Sequence, residues 1–291
     1  MAGYTDFAFR KVLRKCGARI TWTEMISTAA LFHGSKKTKE MLKYTGKTIV
    51  QIFGHNPTHF ESVIKTGIFD KFAEININMG CPARKIISNG DGAALIKNPG
   101  IAKKIIETCV KSTKKPISVK TRLDGGVEFA KMCEAAGASR LIIHGRTTAQ
   151  GYSGTADWNA IAEIVRAVKI PVVANGDVRD ATHAAECIAQ TGAAGVMIGR
   201  ALIGAPWAVE RLNFKERRFC NAVNKPSFEG IKKIIRYHLK HADNILEMRK
   251  HLVAYANHLP NGKELKKRLV IVESVEEAEK IIGQIVSKQL T

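Results

Sequence analysis

From the start of the chain to about residue 210, short β-rich runs alternate with helical stretches. This alternation restricts the fold more than any other feature. The runs are Thr21–Met25, Ile49–Phe53, Ala73–Asn78, Ile117–Thr121, Arg140–His144, Val172–Asn175 and Gly195–Gly199. Between them, apolar residues fall at helical spacing, as at Ile101, Ile105, Ile106, Cys109 and Val110. Strands separated by helices pair in parallel, because each crossover returns the chain to the same end of the sheet. The dipeptides Lys115-Pro116 and Ile170-Pro171 each launch a run. Counting a start at Met1-Ala2-Gly3 as a further strand makes eight, the number of a (β/α)8 TIM barrel. A doubly wound sheet also fits the alternation. The barrel is preferred because polar residues gather at the C-terminal end of nearly every run, where a barrel builds its site.

After Trp207 the pattern changes. Phe214 to Pro226 is basic and irregular, which predicts a linker over 214–226 between a barrel domain of residues 1–213 and a small all-helical C-terminal domain of residues 227–291. Ile231, Ile234, Ile235 and Leu239 mark one amphipathic face there, and Met248, Leu252 and Tyr255 mark another. Ser274-Val-Glu-Glu has the form of a capping box opening a last helix. Between Lys225 and Arg268 there are 11 Lys/Arg and 4 Asp/Glu. Alone, such a run is an ordinary solvated face. Coupled to a basic barrel it becomes a candidate surface for nucleic acid, with Lys232, Lys233 and Arg236 as the first contacts and Arg249, Lys250, Lys266 and Lys267 as the next.

Charge supports that reading. Lys+Arg is 46 against 26 Asp+Glu, a formal net charge of +20. Such an excess favours a polyanionic partner, because neutralising phosphates releases condensed counterions. No apolar run approaches the length of a membrane span, and no leader pattern opens the chain, so a cytoplasmic protein is expected. Cys16, Cys81, Cys109, Cys133, Cys187 and Cys220 form no CxxC pair and no metal-ligand spacing. No metal site is predicted, and the thiols are read as free, mostly in packing roles.

Cys81 differs from the rest. In Glu74-Ile-Asn-Ile-Asn-Met-Gly-Cys-Pro, the apolar Ile75, Ile77 and Met79 alternate with Asn76 and Asn78 at strand period, and the strand breaks at Gly80. Cys81 then stands on a rigid corner, its backbone fixed and its side chain free for chemistry. The other run ends supply Gln51, Asn78, Lys120, Arg122, His144, Arg146, Asn175-Gly176-Asp177 and Gly199-Arg200. Each alone has a bland structural reading; together they outline a pocket. Gly176 and Gly199-Arg200 end the last two runs, where barrels commonly hold a phosphate on backbone N–H groups. Gln51 can both donate and accept at the edge of a flavin ring, and Lys120 and His144 are expected to place positive charge beside it. These groups predict FMN. No GxGxxG follows a strand, so a dinucleotide-binding half is not indicated.

The chain resembles the tRNA-dihydrouridine synthases, and within them the bacterial B-type branch. The likeness is carried in order by Met1-Ala-Gly-Tyr-Thr-Asp, Val50-Gln-Ile-Phe-Gly, Asn78-Met-Gly-Cys-Pro, Val119-Lys-Thr-Arg, His144-Gly-Arg-Thr, Ala156-Asp-Trp, Asn175-Gly-Asp, Met197-Ile-Gly-Arg and Met248-Arg-Lys-His. The resemblance implies a flavoenzyme that reduces uridine in tRNA to dihydrouridine. It implies FMN binding by Ala2, Gln51, Lys120, His144, Asn175, Asp177, Gly199 and Arg200. It implies Cys81 as general acid, and Asn78, Arg122 and Arg146 in contact with substrate. NADPH or NADH is expected as reductant, tRNA as partner, no stable protein partner, and a monomer. The helical region 227–291 is expected to bind tRNA. Two departures stand out: the family normally has several residues before Met-Ala-Gly, and the segment after Arg122 is shorter than the family's. A different FMN barrel acting on a free pyrimidine, such as a dihydroorotate dehydrogenase, is the alternative enzyme. A flavin-free RNA-binding barrel is the non-catalytic one.

Overall fold

A computed structural model of the chain describes residues 1–209 and 226–285. Its centre is one sheet of seven parallel strands in sequential order: β1 (Thr21–Ser27), β2 (Thr48–Phe53), β3 (Glu74–Met79), β4 (Ile117–Arg122), β5 (Arg140–His144), β6 (Val172–Asn175) and β7 (Gly195–Met197). The sheet curls into an open barrel of the TIM class. Helices α1 (Phe7–Lys15), α2 (Thr28–Phe32), α3 (Lys36–Glu40), α4 (Pro57–Lys65), α5 (Arg84–Ser88), α6 (Pro99–Ser112), α7 (Gly126–Ala135), α8 (Trp158–Ala167) and α9 (Ala181–Thr191) lie between and before the strands. The helical region holds α10 (Phe228–Leu239), α11 (Ile245–Ala256), α12 (Gly262–Leu269) and α13 (Val275–Gly283).

All seven internal runs form the strands expected of them. The eighth does not. Met1–Thr5 is a turn in which the Met1 carbonyl accepts the N–H groups of Tyr4 and Thr5, both at 3.0 Å, and Gly3 has φ +75°. A carbonyl spent on residues three and four further on cannot join a ladder. The described residues therefore give seven strands, and the seam between β7 and β1 is covered in another way. A bulge between Trp22 and Met25 lets Glu24 accept the Gly3 N–H at 2.5 Å. Gly199, just past β7, has the Met1 sulfur 3.6 Å from where a Cβ would stand. Behind this turn, Phe9, Val12 and Leu13 of α1 pack with Ile198, Leu202 and Val209.

One face of the sheet and the surrounding helices share the main core. Ile75, Ile77 and Met79 of β3 pack there with Phe60 of α4 and Ile105 and Cys109 of α6. Each such Ile, Met or Phe side chain contributes about 1.5–3 kcal/mol by leaving water. The residues between them, Glu74, Asn76 and Asn78, point to the inside of the curl and are buried as well.

The helical region has its own core around Ile231, Ile235, Leu239, Met248, Leu252 and Tyr255, the two faces expected from spacing. The Ser274 hydroxyl caps α13 by accepting the Glu277 N–H at 3.1 Å, and Glu277 reaches back to the Glu273 N–H at 2.9 Å. The region docks on α1: the Phe9 ring lies 4.7 Å from that of His251 and 5.6 Å from that of His238. At Gly204 a side chain would stand 2.6 Å from the Ala254 carbonyl, so only glycine lets the loop approach α11 this closely. Most of the expected linker, residues 214–225, lies outside the described residues. One basic residue is misplaced by the sequence reading: Lys232 is buried and paired with Glu229 at 2.8 Å, not turned to solvent. Among the described residues no helix is long and apolar enough to cross a membrane.

Candidate active site

The corner at Cys81 is held from both sides. The Asn78 side-chain oxygen accepts the Gly80 N–H at 3.1 Å and the Cys81 N–H at 3.0 Å. At Gly80 a Cβ would stand 3.1 Å from the Thr121 backbone, so glycine eases the close approach of the chain to β4 as it leaves β3. The Cys81 carbonyl accepts the Ala93 N–H at 3.1 Å, and Gly92, at φ +60°, leaves no room there for a side chain. The Cys81 side chain itself stays half-exposed, whereas Cys16, Cys109, Cys133 and Cys187 are buried. Burial pushes the Cys133 thiol up to about 12 and the Cys187 thiol to about 11. These thiols are packing residues. Cys220 lies outside the described residues.

Asn78 commits both amide groups at this corner, its nitrogen donating to Gln51 Oε1 at 3.0 Å and to the Met25 sulfur at 3.1 Å. Arg122 and Arg146 are equally engaged. Buried Arg122 donates to the carbonyls of Gly80 (2.7 Å), Thr147 (2.9 Å) and Gly151 (2.9 Å). Buried Arg146 donates to those of Ser153 (3.0 Å) and Gly154 (2.7 Å) and to the Asp177 carboxylate at 2.7 Å. Both arginines thus hold the loop after β5. Between their anchor points stands Tyr152, 57% exposed, with its ring 6.2 Å from that of His144 and under the Arg200 guanidinium at 4.6 Å. Sequence reasoning passed over Tyr152. The signal was Gly151-Tyr152-Ser153-Gly154, where both glycines take left-handed backbone and leave one aromatic between two turns.

The charged groups divide by depth. Half-buried Lys120 has its ammonium lowered to about 8 by desolvation and by Arg122, and Cys81 lies near enough to act on both cations. His144 is lowered to about 3 by burial and by Lys120, Arg122, Arg146 and Arg200 around it. It is therefore a neutral imidazole at ordinary pH. The expected positive charge from His144 is corrected: that charge belongs to Lys120. Arg200 is half-exposed and 3.7 Å from Asp177, which sits at φ +56° and also accepts the Ala156 N–H at 2.7 Å. Burial opposes ionisation of Asp177, but that N–H and Arg146 hold its carboxyl below the usual range. Gly176, at φ +117°, would carry a Cβ 2.7 Å from Ala156 and 3.0 Å from the His144 ring. Asn175 ties β6 to β7 by donating to the Met197 carbonyl at 2.7 Å. Ala2 lies exposed in the turn over the seam.

The structure thus gathers Gln51, Asn78, Cys81, Lys120, Arg122, His144, Arg146, Asn175, Gly176, Asp177, Gly199 and Arg200 at the C-terminal ends of β2 to β7. The short segment after Arg122 is a single 3-10 turn, Leu123–Gly125, running straight into α7. Its Asp124 accepts the Thr148 N–H at 2.8 Å and so joins the loop after β5.

A family model described as dihydrouridine synthase matches residues 1–290. The chain is 33% identical to a probable tRNA-dihydrouridine synthase 1 of Synechocystis sp., over 99% of this chain and 85% of that protein. It is 40% identical to a probable tRNA-dihydrouridine synthase of Rhodobacter capsulatus, over 73% of this chain and 68% of the relative. With tRNA-dihydrouridine synthase B of Pseudomonas aeruginosa it shares 32% identity, over 91% and 85% respectively. With the family match running along essentially its whole length, the chain belongs to the dihydrouridine synthase family.

Proposed function

We propose that this enzyme reduces uridines in tRNA to 5,6-dihydrouridine, using FMN as the bound cofactor, NADPH or NADH as reductant and Cys81 as the proton donor. The observation that carries the reading is the Cys81 corner, a half-exposed thiol on a doubly anchored backbone beside Lys120 and Arg122 at the mouth of a family-matched barrel.

The residues present fit a flavin mononucleotide. Arg200 offers a half-exposed guanidinium next to Gly176 and Gly199, where an added side chain at Gly176 would collide with its neighbours. Lys120 supplies a cation, and neutral His144 supplies a hydrogen-bonding ring without a second charge. Gln51 offers its amide edge, Asn175 and Asp177 shape the wall, and Ala2 closes the seam side. When bound, the flavin held by these residues would supply the hydride chemistry of the reduction. Cys81 then gives its proton to C5 of the uracil ring, which gains electron density as C6 takes the hydride; the proton must still be on sulfur at that moment. Asn78 fixes the Cys81 backbone for this. Arg122 and Arg146 hold the loop carrying Tyr152, an aromatic face against which a base can rest. The base leaves its stack to enter, as other enzymes that act on nucleobases require.

Residues 227–291 are proposed as a tRNA-binding domain joined to the barrel 1–213 by 214–226. Exposed Lys233 and Arg236 on α10 and Lys240 at its C-terminal cap are its leading contacts. The test is mass mapping of dihydrouridine in tRNA from cells lacking the gene, with return of the wild-type chain or Cys81→Ala. Loss of the modification, restored only by the wild-type chain, is expected. An unchanged tRNA would overturn the function, and a colourless protein that takes up no FMN would overturn the cofactor.

A further inference from the structure

One row inside the curled sheet is polar where barrels ordinarily stack branched apolar side chains. Met25, Gln51, Asn76, Ser118 and Arg140 stand in one register row across β1 to β5. Asn76 and Ser118 are fully buried, and Gln51 is nearly so. Glu74, two residues before Asn76, lies on the same face of β3 and is buried too. Buried groups of this kind are costly unless each is matched to a partner.

They are matched in one sense only. A guanidinium can only donate, so Glu74, paired with Arg140, accepts there. Ser118 has one proton and gives it to Glu74. The Ser118 oxygen must then accept, and it does so from the Asn76 nitrogen at 2.7 Å. That turns the Asn76 oxygen toward Gln51, whose nitrogen donates to it at 2.7 Å. The Gln51 oxygen is left to accept from Asn78 at 3.0 Å, and the Asn78 oxygen is left for the Gly80 and Cys81 N–H groups. The far end is equally irreversible, since a backbone N–H can only donate. A chain of amides that would individually turn over is thus fixed in direction at both ends.

We propose that Glu74, Ser118 and Asn76 are positioning residues that set the direction of the Gln51 and Asn78 amides and, through Asn78, the backbone of the Cys81 corner. The inference bears on the reading of Cys81 as an acid but does not depend on tRNA or flavin. It concerns the free protein, and its failure would leave the proposed function standing.

The readouts are hydrogen exchange of the Gly80 and Cys81 amides and the rate of Cys81 alkylation by iodoacetamide, mapped by mass spectrometry on the full chain without substrate. Asn76→Val removes the acceptor that orients Gln51 and is expected to speed both rates by roughly two- to tenfold. Asn76→Asp keeps that acceptor while setting a second carboxylate against Glu74 across one hydroxyl proton. It is therefore expected to lower Tm more than Asn76→Val and yet leave both rates at the wild-type level. A residue that merely packs predicts the opposite order, with the rates following Tm. Ser118→Ala is expected to raise the rates by less than Asn76→Val, and Ser118→Thr to restore them. If Asn76→Val does not fold, the Ser118 pair decides. Equal rates in Ser118→Ala, Ser118→Thr and wild type would overturn the proposal, as would rates that follow Tm across the Asn76 pair.

Discussion

The barrel interior and the dock between the helical region and α1 both bury polar side chains, but they place them by different means. Inside the barrel, the amides of Gln51, Asn76 and Asn78 each have oxygen and nitrogen engaged. At the dock, His238 meets the Tyr255 hydroxyl at 3.1 Å, while its other ring nitrogen has no hydrogen-bond partner among the described residues. Its ring is held by shape, stacked near Phe9 and edge-on to His251 at 4.7 Å. Directional bonds fix a reacting corner to a fraction of an ångström, whereas ring packing fixes a domain and tolerates a change of chemistry that keeps the shape.

The largest expected effect lies at the barrel. Cys81→Ala should keep flavin and nicotinamide oxidation while slowing dihydrouridine formation about 10²–10⁴-fold in single-turnover assays. A wild-type rate would remove Cys81 from the chemistry.

The dock is expected to respond to acid. Burial, with Lys250 nearby, lowers His251 to about 4, and burial lowers His238 well below its ordinary value. Both bind a proton less readily when folded. Their contribution is therefore full above the unfolded value of 6.5 and is lost as pH falls from there toward 4, on the order of 3 kcal/mol for His251. His144 adds a loss of the same sign, extending toward 3. His251→Phe should flatten the upper part of a stability-versus-pH curve measured by urea unfolding. A curve as steep as wild type would remove His251 from the acid response and leave it to His238 and His144.

Arg200→Ala is expected to weaken FMN binding by roughly 1.5–3 kcal/mol, read as flavin released during dialysis, by removing a charge-assisted bond to phosphate. The smallest effect belongs to the tail surface. Neutralising Lys233 and Arg236 should make the salt dependence of tRNA binding shallower, by about one unit of slope for each phosphate no longer neutralised. Lys232→Gln should leave the slope unchanged and lower Tm instead, because Lys232 is buried against Glu229.

Much of this was legible in the sequence, for reasons that also mark its limits. The seven strand runs were readable because β-rich segments of parallel sheets are short and bounded by turn residues. The strand-end residues were readable because a barrel puts its chemistry there. Met1–Gly3 misled because three residues cannot show a period, and the turn depends on the Met1 carbonyl finding Tyr4 and Thr5. The alternation of Ile75 and Ile77 with Asn76 and Asn78 announced a strand but not that its polar side faces inward. That follows only from the curl of the sheet and from Ser118 and Gln51 arriving in register. Likewise, the neutrality of His144 comes from burial and from Lys120, Arg122, Arg146 and Arg200, most of them brought in from other strand ends, which no local pattern contains.

The placement of α1 has a consequence for how the chain is made. Its Phe9 packs on His238 and His251, while the same helix packs on Leu202 and Val209 across the seam of the sheet. During synthesis, α1 and β1 emerge before Leu202, Val209 and the helical region that flank α1 in the finished fold. Until these have left the ribosome, the apolar face of α1 is only partly covered. A nascent chain in that state exposes apolar surface, the kind that associates with other chains and that chaperones shield.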